Sequence, residues 1–126
     1  MRAGDTYLIA FDSTRNIPHL WILVTDPDAS RELVIVSVTT LRHGVEQTVT
    51  LTPGDHPFIQ HQSTVYFADA RIVRQDGLEG WVAGDLAQPQ TSCSPELLAL
   101  VRAGILAPDF TPKRVVKFCL KRGPVQ

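Results

Sequence analysis

The stretch Glu32–Thr40 reads E-L-V-I-V-S-V-T-T. Within it, three valines and one isoleucine make a run that is apolar almost without interruption. Branched side chains favour extended backbone, and a continuous apolar run is typical of a strand that is buried on both faces. The sequence therefore predicts a central buried strand here.

Shorter strands are predicted on both sides of this one. They are rich in aromatic or branched residues, or they alternate polar and apolar residues as half-exposed strands do. They lie at residues 6–11, 20–25, 47–51 and 64–73. Turn signals that contain Gly, Asp or Pro stand at 26–28, 43–44, 53–55 and 76–77. Short strands with no helical pattern between them indicate a small antiparallel barrel or sandwich.

The last third of the chain changes to helical periodicity. The run S-P-E at 94–96 is a good helix start, because a hydroxyl caps free N–H groups and proline suits the first helical position. Gly104 is predicted to end this helix. A second helix start lies at T-P, 111–112, although V-V-K-F-C-L at 115–120 is also prone to form a strand. The sequence thus predicts one mainly β domain over residues 1–126, with C-terminal helices in an α+β fold.

The composition is that of an ordinary globular protein, with 44% hydrophobic and 20% charged residues. The opening M-R-A-G-D-T-Y lacks the apolar run of a secretory signal, and the longest apolar stretch, at 20–24, is too short to span a bilayer. We therefore expect a cytoplasmic protein that does not bind membranes. Cys93 and Cys119 are then expected to be reduced thiols that are buried or half-buried.

Charge is divided unevenly along the chain. Residues 1–112 hold seven Lys and Arg against thirteen Asp and Glu, a net charge of −6, whereas the last fourteen residues hold five cations and no acid. This division favours an anionic partner for the tail, and a solvated helix face is the alternative.

The stretch T-P-G-D-H-P-F-I-Q-H-Q-S at 52–63 carries two histidines, His56 and His61. Its first residues, which include P-G-D at 53–55, favour a turn. The two histidines have no third ligand at a useful spacing, so the stretch does not indicate a metal site. We expect a structural turn in which Phe58 and Ile59 are buried and Ser63 bonds to the backbone. Of the two histidines, His61 is expected to face a ligand. We expect no metal and no cofactor.

Taken in order, several motifs resemble the MazF/PemK-type toxins of toxin–antitoxin systems. The run G-D-T-Y-L-I at 4–9, followed by F-D-S-T-R at 11–15, is similar to the opening of that family. The run at 18–25 resembles its proline-led second strand, and the run at 34–40 resembles its strand that ends in Thr or Ser. The run F-I-Q-H-Q-S-T-V at 58–65 looks like a variant of its G-L-x-x-D-S-x-V turn.

The resemblance implies a small SH3-like antiparallel β-barrel of the MazF/PemK/CcdB type with helices at its edge. It also implies a homodimer that a protein antitoxin neutralises, and cleavage of single-stranded RNA without a metal. In that reaction the ribose 2′-hydroxyl attacks the neighbouring phosphorus. The chemistry needs a base, an acid, and donors for the charge that grows on the phosphate.

The implied chemistry leads to two sets of candidate residues in this chain. Thr39 or Thr40 matches the hydroxyl of the family, Arg15 and His19 are candidates to replace its arginine, and Arg42, His43 and His61 are chosen because they lie on turns. The catalytic set is Arg15, His19, Thr39 and Thr40, and the RNA-binding set is Arg42, His43 and His61. His19 would act as base or acid near neutral pH, Arg15 would reach the phosphate, and a threonine hydroxyl would donate to it.

Other interpretations of these residues stay open. His19 also suits a strand residue that packs beside Trp21, and Arg15 also suits a loop charge in water. The arginine that precedes the second-strand proline in the family is replaced here by Ile17. The alternative function is therefore a catalytically inactive barrel that binds protein or nucleic acid, and a structural subunit is a third possibility.

Overall fold

The computed structural model describes residues 1–11, 17–107 and 109–121. One antiparallel sheet runs through it in the order β4–β5–β3–β2–β1–β6. Its strands are β1 Thr6–Ile9, β2 His19–Leu23, β3 Glu32–Thr40, β4 Thr50–Leu51, β5 Ser63–Arg74 and β6 Ala87–Gln90. The helices are α1 Gln75–Ala83, α2 Pro95–Ile105 and α3 Lys113–Lys121. The mainly β character and the α+β class that the sequence predicts are confirmed.

Strand β3 has the predicted bounds and lies inside the sheet, between β5 and β2. Its side chains alternate between two separate hydrophobic clusters. Val34 and Val36 belong to one cluster, and Leu33 and Ile35 belong to the other. Both faces of β3 are therefore buried, which explains why its sequence is apolar without alternation.

Helices cover both faces of the sheet. Leu97 and Val101 of α2 and Val115 of α3 pack in the first cluster, with Val34 and Val36. Leu78 of α1 packs in the second, with Trp21 and others. Within the described residues the domain thus has three layers, with α2 and α3 on one side of the sheet and α1 on the other.

Among the residues that the structure describes, the sheet is not closed into a barrel. β4 and β6 are its two edges, and each has one neighbouring strand. β4 is only two residues long, shorter than the predicted strand at 47–51. β6 contains Pro89, which lacks a backbone N–H and is tolerated at an edge. Because helices cover both faces, the core is buried without closure of the sheet.

The sequence predicted neither α1 nor β6. The pair D-G at 76–77 was expected to be a turn, but it lies in the first turn of α1. Gly77 and Gly80 weaken the helical signal of this segment, and burial of Leu78 under the sheet outweighs that weakness. β6 reads A-Q-P-Q, a poor strand former, and it is extended because it pairs with β1.

The pairing of strand β5 with β3 shifts register in the middle, and a bulge of this kind bends a strand. Ile35 pairs with Arg71 and Ser37 pairs with Tyr66. An advance of two residues along β3 thus corresponds to an advance of five residues along β5. A bulge leaves backbone N–H groups without a partner on the next strand. Here the buried carboxylate of Glu46 accepts them, at 3.0 Å from the amide N of Phe67 and 3.1 Å from that of Ala68.

The C-terminal helices begin as predicted. Ser94 Oγ accepts a hydrogen bond from the amide N of Leu97 at 3.1 Å, and Pro95 is the first residue of α2. The end of α2 was wrongly predicted, because Gly104 lies inside the helix. The segment at 113–121 forms a helix and not the alternative strand.

The two cysteines, Cys93 and Cys119, are both buried, as expected. Among the described ranges, no helix has both the length and the apolar character that crossing a membrane requires.

Candidate functional site

An open cavity of about 440 Å³ lies where β2 begins and β3 ends. We call it the histidine cleft. It is lined by His19, Thr39, Thr40 and His61, together with apolar neighbours that include Phe58. Four of the residues predicted for the site therefore lie around one concave surface, although they come from β2, β3 and the loop before β5.

Antiparallel pairing brings His19 to Thr39. Leu20 of β2 pairs with Val38 of β3. His19, which precedes Leu20, therefore lies beside Thr39, which follows Val38. His19 is exposed, whereas Trp21 is buried in the core. The Nδ1 of His19 lies 3.4 Å from the carbonyl oxygen of Val38. This is a long hydrogen bond in which the imidazole ring donates. That assignment places the free lone pair of the neutral ring on Nε2.

Thr39 and Thr40 end β3 at the mouth of the cleft. Thr39 pairs with Thr64 and Thr40 pairs with Ser63 of β5, so their backbones are fixed by the sheet. Thr40 is exposed and Thr39 is partly buried. Their hydroxyl groups are donors held on a rigid element, as a phosphate-binding position requires.

The stretch at 52–63 forms turns, and the two histidines in it are placed differently. His56 is buried at 3% exposure. Its Nδ1 accepts from the amide N of Phe58 at 3.0 Å, and its Nε2 donates to the carbonyl oxygen of Thr91. Because both ring nitrogens are engaged, His56 is a structural residue and does not offer a metal ligand. His61 is exposed and lines the cleft.

Other predictions for this stretch had mixed outcomes. Ser63 Oγ donates to the carbonyl oxygen of His61 at 2.9 Å, which confirms the expected bond to the backbone. Ile59 is buried as expected. Phe58 was expected to be buried but is 39% exposed, because its ring stands in the wall of the cleft.

A second cavity of about 480 Å³ adjoins the histidine cleft, and Thr39 lines both. We call it the aromatic cavity. Arg42 and His43, which were predicted to bind RNA, line it, and so do Tyr66 and Phe110. The predicted residues are therefore divided between two neighbouring cavities.

The sequence analysis missed these two aromatic residues. Tyr66 alternates in β5 with the buried residues Val65 and Phe67, and this position alone does not indicate a site. Phe110 lies in a connection between helices, where sequence alone gives no neighbours.

Arg15 and the rest of the motif at 12–16 lie outside the described residues. Ile17, which precedes Pro18 in the sequence, lines the cleft. The described residues that line the cleft include no Lys or Arg. In the chain as described, no group of three or more His, Cys, Asp or Glu side chains is placed to hold a metal ion.

The fold and its cleft together define an antiparallel α+β domain with histidine imidazoles and threonine hydroxyls at one end of its sheet. No model of a known protein family matches the chain, and no curated protein matches it.

Proposed function

We propose that the chain is a MazF/PemK-like endoribonuclease that binds single-stranded RNA in the histidine cleft and cleaves it without a metal. The observation that carries the proposal is the convergence of His19, Thr39, Thr40 and His61 on one cleft. In this proposal the six-stranded sheet with its bent β5 is an opened variant of the SH3-like barrel of these toxins.

The cleft supplies the groups that 2′-hydroxyl attack needs. His19 Nε2 takes the proton from the ribose 2′-hydroxyl, and the oxygen forms a bond to the adjacent phosphorus. The bond from phosphorus to the 5′-oxygen then breaks, and His61 in its charged form donates a proton to that leaving oxygen. The products are a 2′,3′-cyclic phosphate and a 5′-hydroxyl. Proton transfer of this kind contributes about 10²- to 10⁴-fold to a rate.

The threonine hydroxyls stabilise the charge on the phosphate. Thr39 and Thr40 donate to the two non-bridging oxygens, whose negative charge grows in the transition state. The sequence also assigns Arg15 to the phosphate, and this residue lies outside the described residues.

The proposal extends to partners and location as the resemblance implies them. The chain acts in the cytoplasm as a homodimer, and a protein antitoxin neutralises it. The exposed cations of α3, which are Lys113, Arg114, Lys117 and Lys121, suit an acidic segment of such a partner.

One observation favours the alternative function, a module that binds without cleavage. Ile17 replaces the family arginine and is 57% exposed, and the exposed ring of Phe58 stands in the same cleft. Since the described lining holds no Lys or Arg, it contributes less to charge stabilisation than an arginine-bearing site would.

Cleavage of single-stranded RNA by the purified full chain in EDTA tests the proposal. We expect products that end in a cyclic phosphate. His19→Ala and His61→Ala should each lower the rate about 10²- to 10⁴-fold. Thr39→Val keeps the shape and removes the hydroxyl, and it should lower the rate about tenfold or more. Thr50→Val is the matched control, because Thr50 is exposed on β4 and lies in the lining of neither cavity.

The outcomes separate the two functions. Intact RNA that nevertheless shifts in a gel supports the binding module and overturns catalysis. RNA that neither shifts nor breaks rejects both. In cells, induction of the chain alone should arrest bacterial growth, and His19→Ala should relieve the arrest; harmless overexpression of the unaltered chain removes the toxin assignment.

A further inference from the structure

We propose that the aromatic cavity is a stacking subsite for one RNA base, and that it selects a base with an exocyclic amino group over uracil. The inference rests on the proposed function, because the cavity adjoins the histidine cleft through Thr39. A strand whose phosphate lies at Thr39 can therefore place a neighbouring base in the aromatic cavity.

Two exposed aromatic rings line the cavity. Tyr66 is 40% exposed and Phe110 is 45% exposed, and they come from β5 and from the connection between α2 and α3. Large aromatic side chains are usually buried, and exposed rings that share a concave surface are typical of platforms on which nucleic-acid bases stack. The volume of about 480 Å³ is in the range of pockets that hold small ligands.

Two side chains that carry hydrogen-bond donors stand beside the rings. Arg42 and His43 are exposed on the turn that follows β3, and both line the cavity. The guanidinium of Arg42 suits a backbone phosphate or the face of a base. This pairing of aromatic rings with a basic group fits a single-stranded nucleic acid better than it fits an apolar protein segment.

The carboxylate of Glu46 gives the cavity its base preference. Glu46 lines the cavity and is 8% exposed, and each of its carboxylate oxygens accepts one backbone N–H, from Phe67 and from Ala68, which fixes the side chain. An ionised carboxylate has about four acceptor positions, so that further donors can be accommodated. The amino groups of cytosine, adenine and guanine are donors. Uracil carries a carbonyl oxygen at the position of the cytosine amino group, and an oxygen facing a carboxylate is unfavourable.

Binding of uncleavable RNA to the full chain tests this inference separately from catalysis. The probes are 2′-O-methyl oligonucleotides of about eight nucleotides, composed of A, C or U, and the measurement is fluorescence anisotropy. We expect the A and C oligonucleotides to bind about five- to tenfold more tightly than the U oligonucleotide. Tyr66→Ala and Phe110→Ala should each weaken binding of the C oligonucleotide about tenfold.

Two control variants separate the rings from general effects. Tyr66→Phe keeps the ring and should bind within about twofold of the unaltered chain, because stacking needs only the π-face. Leu120→Ala removes another exposed apolar side chain, on α3 and outside the lining of the cavity, and should leave binding unchanged. Circular dichroism checks that each variant is folded.

The outcomes distinguish this inference from the proposed function. Unchanged affinity in both alanine variants overturns the subsite, even where the unaltered chain cleaves RNA. Loss of affinity in those variants without any cleavage keeps the subsite and overturns catalysis. Equal binding of the U oligonucleotide overturns the preference assigned to Glu46. Unchanged RNA affinity with a changed oligomeric state in sedimentation assigns the rings to a protein contact and overturns the inference.

Discussion

Gly104 of α2 lies so close to the ring of Phe67 in β5 that no side chain fits between them. A Cβ atom built on Gly104 would be 2.8 Å from Phe67 Cε2 and closer still to Cζ. Both residues are buried, with Phe67 only 1% exposed. The contact joins the helical layer to the bent part of β5, where Glu46 holds the amide of Phe67.

Gly104→Ala is expected to destabilise the domain. Alanine gains up to about 1 kcal/mol of helix propensity over glycine, whereas overpacking of a core costs about 1–3 kcal/mol. Because the obstacle is a buried ring and not the end of a flexible chain, we expect the cost to exceed the gain. Urea unfolding of the variant and of the unaltered chain measures the difference in the free energy of unfolding. The denaturation midpoints are compared for the same dependence of that free energy on urea concentration.

A matched control uses a helical glycine without a neighbour. A Cβ at Gly80 in α1 meets nothing within 4 Å, so Gly80→Ala should stabilise the domain by up to about 1 kcal/mol. Phe67→Leu combined with Gly104→Ala should show a favourable coupling in a double-mutant cycle. Stabilisation by Gly104→Ala alone would contradict the proposed close contact.

Gly104 also shows why some features could not be predicted from the sequence. Glycine marks both a helix end and a close approach of two elements, and only the three-dimensional neighbour, Phe67, distinguishes them. β3 was predicted with the correct bounds, because burial on both faces leaves a continuous apolar run. α1 and β6 were missed, because packing there outweighs weak local preferences.

In the candidate site, too, some residues could be predicted from the sequence and others could not. His19, Thr39, Thr40 and His61 line one cavity, and they were chosen from the sequence by the order of elements as well as by residue type. No sequence motif indicated Tyr66 or Phe110. They are far apart in sequence and come together only through the fold, since one lies on β5 and the other follows α2.

His56 and His61 should respond differently to alanine substitution. His56→Ala leaves the amide of Phe58 without its acceptor and opens space beside Thr6, whose Oγ1 lies 3.2 Å from His56 Nε2. Because His56 is itself buried at 3% exposure, the loss of its ring and of these hydrogen bonds should cost about 1–3 kcal/mol of stability. His61→Ala should change the free energy of unfolding by less than about 0.5 kcal/mol, because the side chain is exposed.

Urea unfolding and RNA cleavage, measured on the same two variants, check this pair. His61→Ala should be stable but slow in cleavage, and His56→Ala should be unstable. A stable His56→Ala variant would show that the hydrogen bonds of its ring contribute little to the fold. A His61→Ala variant as unstable as His56→Ala would remove the contrast between a structural and a cleft histidine.

Cys93 should make the stability of the domain depend on pH in the alkaline range. Burial raises the pKa of the Cys93 thiol above its ordinary value, and the negative charge of Asp5 adds to the shift. The folded thiol therefore holds its proton more tightly than the unfolded one. The resulting stabilisation is present in full below the unfolded thiol pKa of about 8.5, and it is lost as the pH rises through the higher pKa of the folded state.

Urea unfolding of the reduced protein at about pH 7.5 and 9.5, on either side of the ordinary thiol pKa, measures this effect. Cys93→Ala removes the thiol, and it should lose less stability over this interval than the unaltered chain does. Burial also raises the pKa of Tyr7, so part of the alkaline loss should remain in the variant. Identical losses in the two proteins would show that the buried thiol does not contribute to the pH dependence.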